Sequence, residues 1–199
     1  MNSAETKAYW SKRYEEERTG WDIGSPSTPL KEYIDQLSDK NLKILIPGAG
    51  NAHEAAYLWT QGFSNVYVLD ISKLPLETFQ QRNPDFPSAQ LLCEDFFKHT
   101  GTYDLILEQT FFCSFPPLPE TREKYAKHMA QLLKPQGKLA GLWFTFPLTD
   151  DIENPPFGGS KKEYLNYFEP YFNVKVLEKA HNSITPREGN ELFGIFEKS

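Results

Sequence analysis

The chain is poor in the residues that build covalent or metal frameworks. Its 199 residues include two cysteines, Cys93 and Cys113, and four histidines, His53, His99, His128 and His181. With no CxxC pair and no HExxH, neither a disulfide scaffold nor a zinc site is expected. Long apolar runs are missing too. Nothing approaches the ~20 residues of a membrane helix, and the opening Met1-Asn2-Ser3-Ala4-Glu5-Thr6-Lys7 has no apolar signal core. The cytoplasm is therefore the expected location, with no membrane partner. Positive charge is also in deficit: 21 Lys and Arg against 27 Asp and Glu give −6, a surface that repels phosphate, so no nucleic-acid partner is expected.

What is present suits a packed core, since 39% of residues are hydrophobic and 15% aromatic, which excludes a disordered chain. The length fits one domain over residues 1–199, and nothing demands more than a monomer.

Along the chain the hydrophobic period changes repeatedly. Residues 4–18 place Tyr9, Trp10, Arg13, Tyr14 and Glu17 at helical spacing with an aromatic face, and a loop over 19–29 precedes a short helix at 30–37. Residues 1–37 thus read as a helical cap. Strands are predicted at 42–46, 65–71, 89–93, 103–108 and 138–146, and helices at 52–61, 73–81, 120–133 and 161–168. The last two strands, 173–178 and 192–197, have no obvious helix between them. The pattern predicts an α/β fold: a doubly wound, mostly parallel seven-stranded sheet ending in an antiparallel hairpin.

In such a sheet the ligand site lies beyond the strand ends. The first strand runs into Pro47-Gly48-Ala49-Gly50-Asn51-Ala52-His53, and Asp70 closes the second strand twenty residues past Gly50. That is the spacing of a carboxylate that binds ribose hydroxyls. A third glycine would let a helix approach a pyrophosphate, but His53 stands in its place. Asp95 and Phe96, after the third strand, suit an adenine ring. The combination favours S-adenosylmethionine (SAM), which has no phosphate, over a nicotinamide dinucleotide.

These residues, with Trp10-x-x-x-Tyr14, Thr19-Gly20-Trp21-Asp22-Ile23-Gly24, Asp70-Ile71-Ser72 and Glu108-Gln109-Thr110-Phe111-Phe112-Cys113, carry a resemblance over nearly the whole chain. So do Arg122-x-x-Tyr125-Ala126, Leu133-Lys134-Pro135-Gln136-Gly137 and Pro155-Pro156-Phe157. The chain resembles the thiopurine S-methyltransferase-like branch of the class I SAM-dependent methyltransferases, which includes the plant halide and thiol methyltransferases. The resemblance implies a Rossmann-like fold with an N-terminal helical lid. Trp10, Tyr14 and Trp21 would cover the cofactor, Gly48, Gly50, Asp70 and Ile71 would lie below it, Asp95 and Phe96 would frame the adenine, and Gln109 would sit near the methionine end. The glycine turn departs from the GCGxGxD pattern of the halide and thiol members, and Gln109 stands where mammalian thiopurine enzymes have arginine.

The reaction implied is in-line displacement onto a small thiol or halide acceptor. An acceptor that is already an anion needs no base, and the sequence offers no Ser/His/Asp or Cys/His constellation. Phe111, Phe112, Trp143, Phe146 and Phe157 are available at strand ends to form an apolar acceptor pocket. Tyr125 and Arg187 are the candidates for contacting the acceptor. Cys113 reads as a small buried hydrophobe. A nicotinamide-dependent oxidoreductase and a non-catalytic SAM-binding module are the alternatives.

Overall fold

Strand and helix alternate into one sheet in the computed structural model, which describes residues 2–199. The elements are α1 (Ser3–Glu15), α2 (Thr28–Asp35), β1 (Ile44–Pro47), α3 (His53–Thr60), β2 (Val66–Asp70), α4 (Lys73–Arg82), β3 (Leu91–Cys93), β4 (Tyr103–Gln109), α5 (Pro119–Leu132), β5 (Leu133–Phe144), α6 (Lys161–Phe168), β6 (Phe172–Lys179) and β7 (Glu191–Lys198). The seven strands lie in the order β3-β2-β1-β4-β5-β7-β6. β1 to β5 are parallel, and β7 runs antiparallel between β5 and β6.

Side chains alternate across each strand, so the sheet feeds two cores. Ile44, Ile46, Leu105, Leu107, Ala140 and Leu142 face one side, where α2, α3 and α4 contribute Leu30, Ile34, Ala55, Leu58, Leu76 and Phe79. Leu45, Ile106, Leu139 and Trp143 face the other, against Tyr125, Met129 and Leu132 of α5 and Tyr164 and Phe168 of α6. Because both faces are covered, the central strands read as near-continuous apolar runs. α1 buries none of its residues fully and stands outside both cores.

Two boundaries differ from expectation by more than two residues. α1 stops at Glu15, and Glu17 turns to φ +53°, so the last predicted turn of the helix is absent. The Pro135–Gly137 turn, predicted to precede the fifth strand, lies inside β5 instead. Leu133 already pairs with Tyr103, Lys138 with Leu105, and the residues between them bulge out, with Gln136 at φ +62°.

Phe168 joins the α6 core to the hairpin, stacking on Phe196 at 4.6 Å and meeting Trp143 edge-on at 5.6 Å. Phe168→Ala should lower the free energy of urea unfolding by about 3–5 kcal/mol. A loss below about 1 kcal/mol would show that the ring is dispensable to this core.

Candidate functional site

After β1 the chain crosses one face of the sheet towards β2, and after neighbouring β4 it crosses the other face towards β5, so a crevice opens beyond their carboxyl ends. Gly48 and Gly50 line the start of this turn at φ +58° and +53°, a left-handed backbone that favours glycine. Both are also crowded. A Cβ on Gly48 would lie 1.9 Å from the Phe111 ring, and one on Gly50 would lie 2.9 Å from the Tyr14 hydroxyl. Asp70, at the end of β2, holds the turn in place: one carboxylate oxygen accepts from Gly50 N at 2.9 Å and the other from Ser72 N at 2.8 Å. Burial pushes the Asp70 carboxyl up to about 6, against the pull of those amides.

The crevice is a cavity of about 1360 Å³. Trp10, Tyr14, Trp21, Gly48, Asp70, Ile71, Asp95 and Phe96 line it, together with Phe111, Phe146, Phe157 and Arg187. Asp95 caps the turn after β3 by accepting from Phe97 N at 2.9 Å, which sets Phe96 and Phe97 on the wall. Trp10 and Tyr14 meet Trp21 edge-on at 5.4 and 5.6 Å, so α1 and the following segment form one aromatic cover. No histidine lines the cavity among the described residues.

That segment, residues 19–27, is a strap fastened by polar groups at three points. Arg187 Nη2 donates to the Trp21 carbonyl at 2.7 Å, and Ser27 N donates to buried Glu54 at 2.9 Å. Between them Asp22 meets His53 Nε2 at 2.7 Å and accepts from the Asn51 amide. His53 therefore has a partner that glycine could not supply. Asp22 is held below the usual carboxylate range by the Gly24 amide, Asn51 and His53, which together outweigh its burial.

Five of the residues expected at the site fall elsewhere. Gly50 lies beneath Tyr14 and off the cavity wall. Phe112 faces away from its neighbour Phe111 and packs on Tyr125 and Tyr164 in the α5–α6 core, because side chains at successive positions diverge. Tyr125 is wholly buried there with its hydroxyl unpartnered, so it does not reach the cavity; burial also holds its phenol far above the ordinary range. Trp143 is likewise core. Gln109 lies under the strap, bridging Glu54 Oε1 at 3.1 Å and Arg187 Nη1 at 2.8 Å in the amide orientation that satisfies both. Arg187 lines the cavity, but its guanidinium is also held by Glu191 at 3.4 Å. Cys113 borders the cavity with its thiol pushed far up by burial.

Sequence reasoning missed Glu54, Glu191, Thr110 and Glu108. Glu108 carried a signal, as a carboxylate inside the apolar run Tyr103–Gln109 of β4. Glu54 and Glu191 look like ordinary surface residues until the fold brings Gln109 and Arg187 beside them.

A model of the family described as thiopurine S-methyltransferase matches residues 5–198. The probable thiol methyltransferase 2 of Arabidopsis thaliana is 32% identical over 205 residues, covering 100% of this chain and 88% of that protein. The thiocyanate methyltransferase 1 of the same plant is 32% identical over 196 residues, covering 95% and 84%. Among solved structures, the 1,6-didemethyltoxoflavin-N1-methyltransferase of Burkholderia thailandensis, with S-adenosylhomocysteine bound, superposes with a TM-score of 0.78 at 16% identity, covering 99% and 88%. The magnesium protoporphyrin IX methyltransferase of Synechocystis PCC 6803 does so with 0.74 at 14% identity, covering 100% and 98%. These two likenesses establish the Rossmann-like class I methyltransferase fold.

Arg187→Ala would leave Glu191, 2% exposed, without its cation and the Trp21 carbonyl without its donor. Urea unfolding should show a loss of about 3–5 kcal/mol, and adding Glu191→Gln should recover part of it. A single-variant cost no larger than about 1 kcal/mol would mean that the pair behaves as an exposed one.

Proposed function

Since the chain belongs to the thiopurine S-methyltransferase family, we propose that it transfers a methyl group from SAM to a small soft anion such as a thiolate, thiocyanate or halide. The observation that supports this most is the cavity itself, with the Asp70 carboxylate at one end, an aromatic wall at the other and no histidine among its described lining residues. Its volume of about 1360 Å³ exceeds the roughly 300–1,000 Å³ usual for one small ligand, which leaves room for a cofactor and an acceptor together.

The residues present fit an adenosyl group. Each Asp70 oxygen takes one backbone N–H and retains lone-pair capacity for a ribose hydroxyl. Asp95 and Phe96 would hold the adenine, Gly48 and Ile71 would form the floor, and Trp10, Tyr14 and Trp21 the cover. When bound, SAM supplies an electrophilic methyl carbon beside a sulfonium.

The chain's contribution is then chiefly positional. Phe111, Phe144, Phe146 and Phe157 exclude water from the acceptor end and leave an anion there poorly solvated, hence more nucleophilic. Holding nucleophile and carbon in line can supply about 7–11 kcal/mol. Burial keeps the thiol of Cys113 and the phenol of Tyr14 protonated at neutral pH, so neither is a base. The acceptor must arrive ionised, which selects soft, acidic nucleophiles over alcohols. Arg187 adds positive charge at the rim, tempered by Glu191. Two free cysteines suit the reducing cytoplasm, where we place the protein, and no helix among the described residues is long and apolar enough to cross a membrane.

Ribose hydroxyls donate to Asp70, so binding favours its ionised form. With a carboxyl near 6, about a tenth of free Asp70 is ionised at pH 5. Calorimetry should therefore show S-adenosylhomocysteine binding about tenfold tighter at pH 7.5 than at pH 5. Asp70→Asn should flatten that dependence and weaken binding at pH 7.5 by about 1.5–3 kcal/mol. Affinity unchanged by pH or by the variant would remove Asp70 from the cofactor site. Incubation with SAM and hydrosulfide, an aromatic thiol, thiocyanate or iodide should release S-adenosylhomocysteine with at least one of them. Release with none would defeat the methyl-transfer reading.

A further inference from the structure

In the turn that follows β4, two backbone amides converge on a single side-chain oxygen. Glu108 is fully buried, and its Oε1 accepts from two successive backbone amides, Phe111 N at 2.8 Å and Phe112 N at 2.7 Å. Its Oε2 has no hydrogen-bond partner. Thr110, enclosed in this loop, lies at φ +56°, a left-handed conformation that a β-branched residue adopts only under constraint. Both Thr110 and Phe111 line the cavity.

What the loop positions is the divide between the two halves of the site. The Phe111 ring occupies the space a Cβ would fill on Gly48, on the cofactor side. It also meets Phe96 edge-on at 5.1 Å and Phe115 at 4.9 Å. A buried carboxyl with one oxygen unpaired is a poor contributor to stability. Its geometry is instead suited to fixing a backbone path, because two N–H groups converging on one acceptor leave the loop little freedom.

We propose that Glu108 is a positioning residue for methyl transfer, gripping the Phe111 and Phe112 amides so that Thr110 and Phe111 set where the acceptor meets the methyl carbon. It touches neither reactant. The proposal rests on the methyltransferase reading above and adds to it a residue that acts on the chemical step through the main chain. Burial pushes the Glu108 carboxyl up to about 8, so the neutral group that holds the loop near pH 7 resembles a glutamine amide in size and in its accepting oxygen.

The test compares E108A and E108Q with the parent, measuring S-adenosylhomocysteine affinity by calorimetry and kcat and KM for whichever acceptor the parent turns over. Misplacement near 1 Å costs on the order of 100-fold, so E108A should lose 30-fold or more, roughly, in kcat at saturating SAM. Its S-adenosylhomocysteine Kd should stay within about threefold of the parent, well under 1.4 kcal/mol. E108Q, which retains the accepting oxygen, should recover kcat to within about fivefold of the parent. If E108A does not fold, E108D takes its place, since its shorter carboxyl cannot reach both amides; it should show the same loss. E108A or E108D turning over at the parental rate would overturn the proposal. So would cofactor affinity falling in parallel with kcat, or E108Q failing as completely as E108A. A parent that neither binds S-adenosylhomocysteine nor releases it with any acceptor would instead remove the methyl-transfer reading, and the role of Glu108 with it.

Discussion

The bond from Gly50 N to the Asp70 carboxylate joins the ends of two neighbouring parallel strands, and much of the site is arranged around it. β1 and β2 are locked in register by their ladder, yet the chain leaving β1 must turn at once if the crevice is to stay open. Glycine at 48 and 50 permits the turn, and the carboxylate fixes it. The same side chain serves the fold through two amides, and in the proposed reading its remaining lone pairs serve a ligand. Its burial is the cost of that double use, visible as a carboxyl that resists ionisation. A bound nucleoside would relieve the cost by donating hydroxyls to the charged form.

Above this floor the cover is built differently. α1 buries no residue completely, and its Trp10 and Tyr14 meet Trp21 edge-to-face without entering either core. What fixes the cover to the sheet is polar: Arg187 and Glu54, joined beneath by Gln109, and the Asp22–His53–Asn51 cluster. Such a network has direction and can be undone bond by bond, whereas an apolar contact of equal area would separate only as a whole. The fold thus keeps a rigid sheet under a cover with few apolar ties, as suits a site that must admit two molecules and release two products.

The sheet was readable in the sequence because both of its faces are buried. Short apolar runs such as Leu42–Ile46 and helices with a single apolar stripe leave little choice of topology once they alternate, and Asp70, singled out by its spacing from Gly50, does lie on the cavity wall. Other features had no local signal. Threonine carries no preference for positive φ, so the turn at Thr110 reflects bonds made by the residues around it, that of Glu108 among them. Phe111 and Phe112 are identical in sequence, yet one lines the cavity and the other fills the core. The bulge in β5 looked like a turn because Pro135 and Gly137 suit both equally, and only pairing with Tyr103 decides between them. Gln109 was placed by resemblance at a ligand. Its actual partners lie 55 and 78 residues away in the chain, a distance no periodicity can bridge.

At both ends the strap is held through its own main chain: a carbonyl at Trp21 and an amide at Ser27 are what Arg187 and Glu54 grip. The Trp21 ring lines the cavity yet plays no part in either of those bonds. Substitution of that ring can reshape the roof of the cavity while the main-chain anchors persist, so the shape of the roof and its attachment are separately adjustable. For laboratory evolution, that makes Trp21 a more forgiving position to randomise than the crowded turn at Gly48 and Gly50.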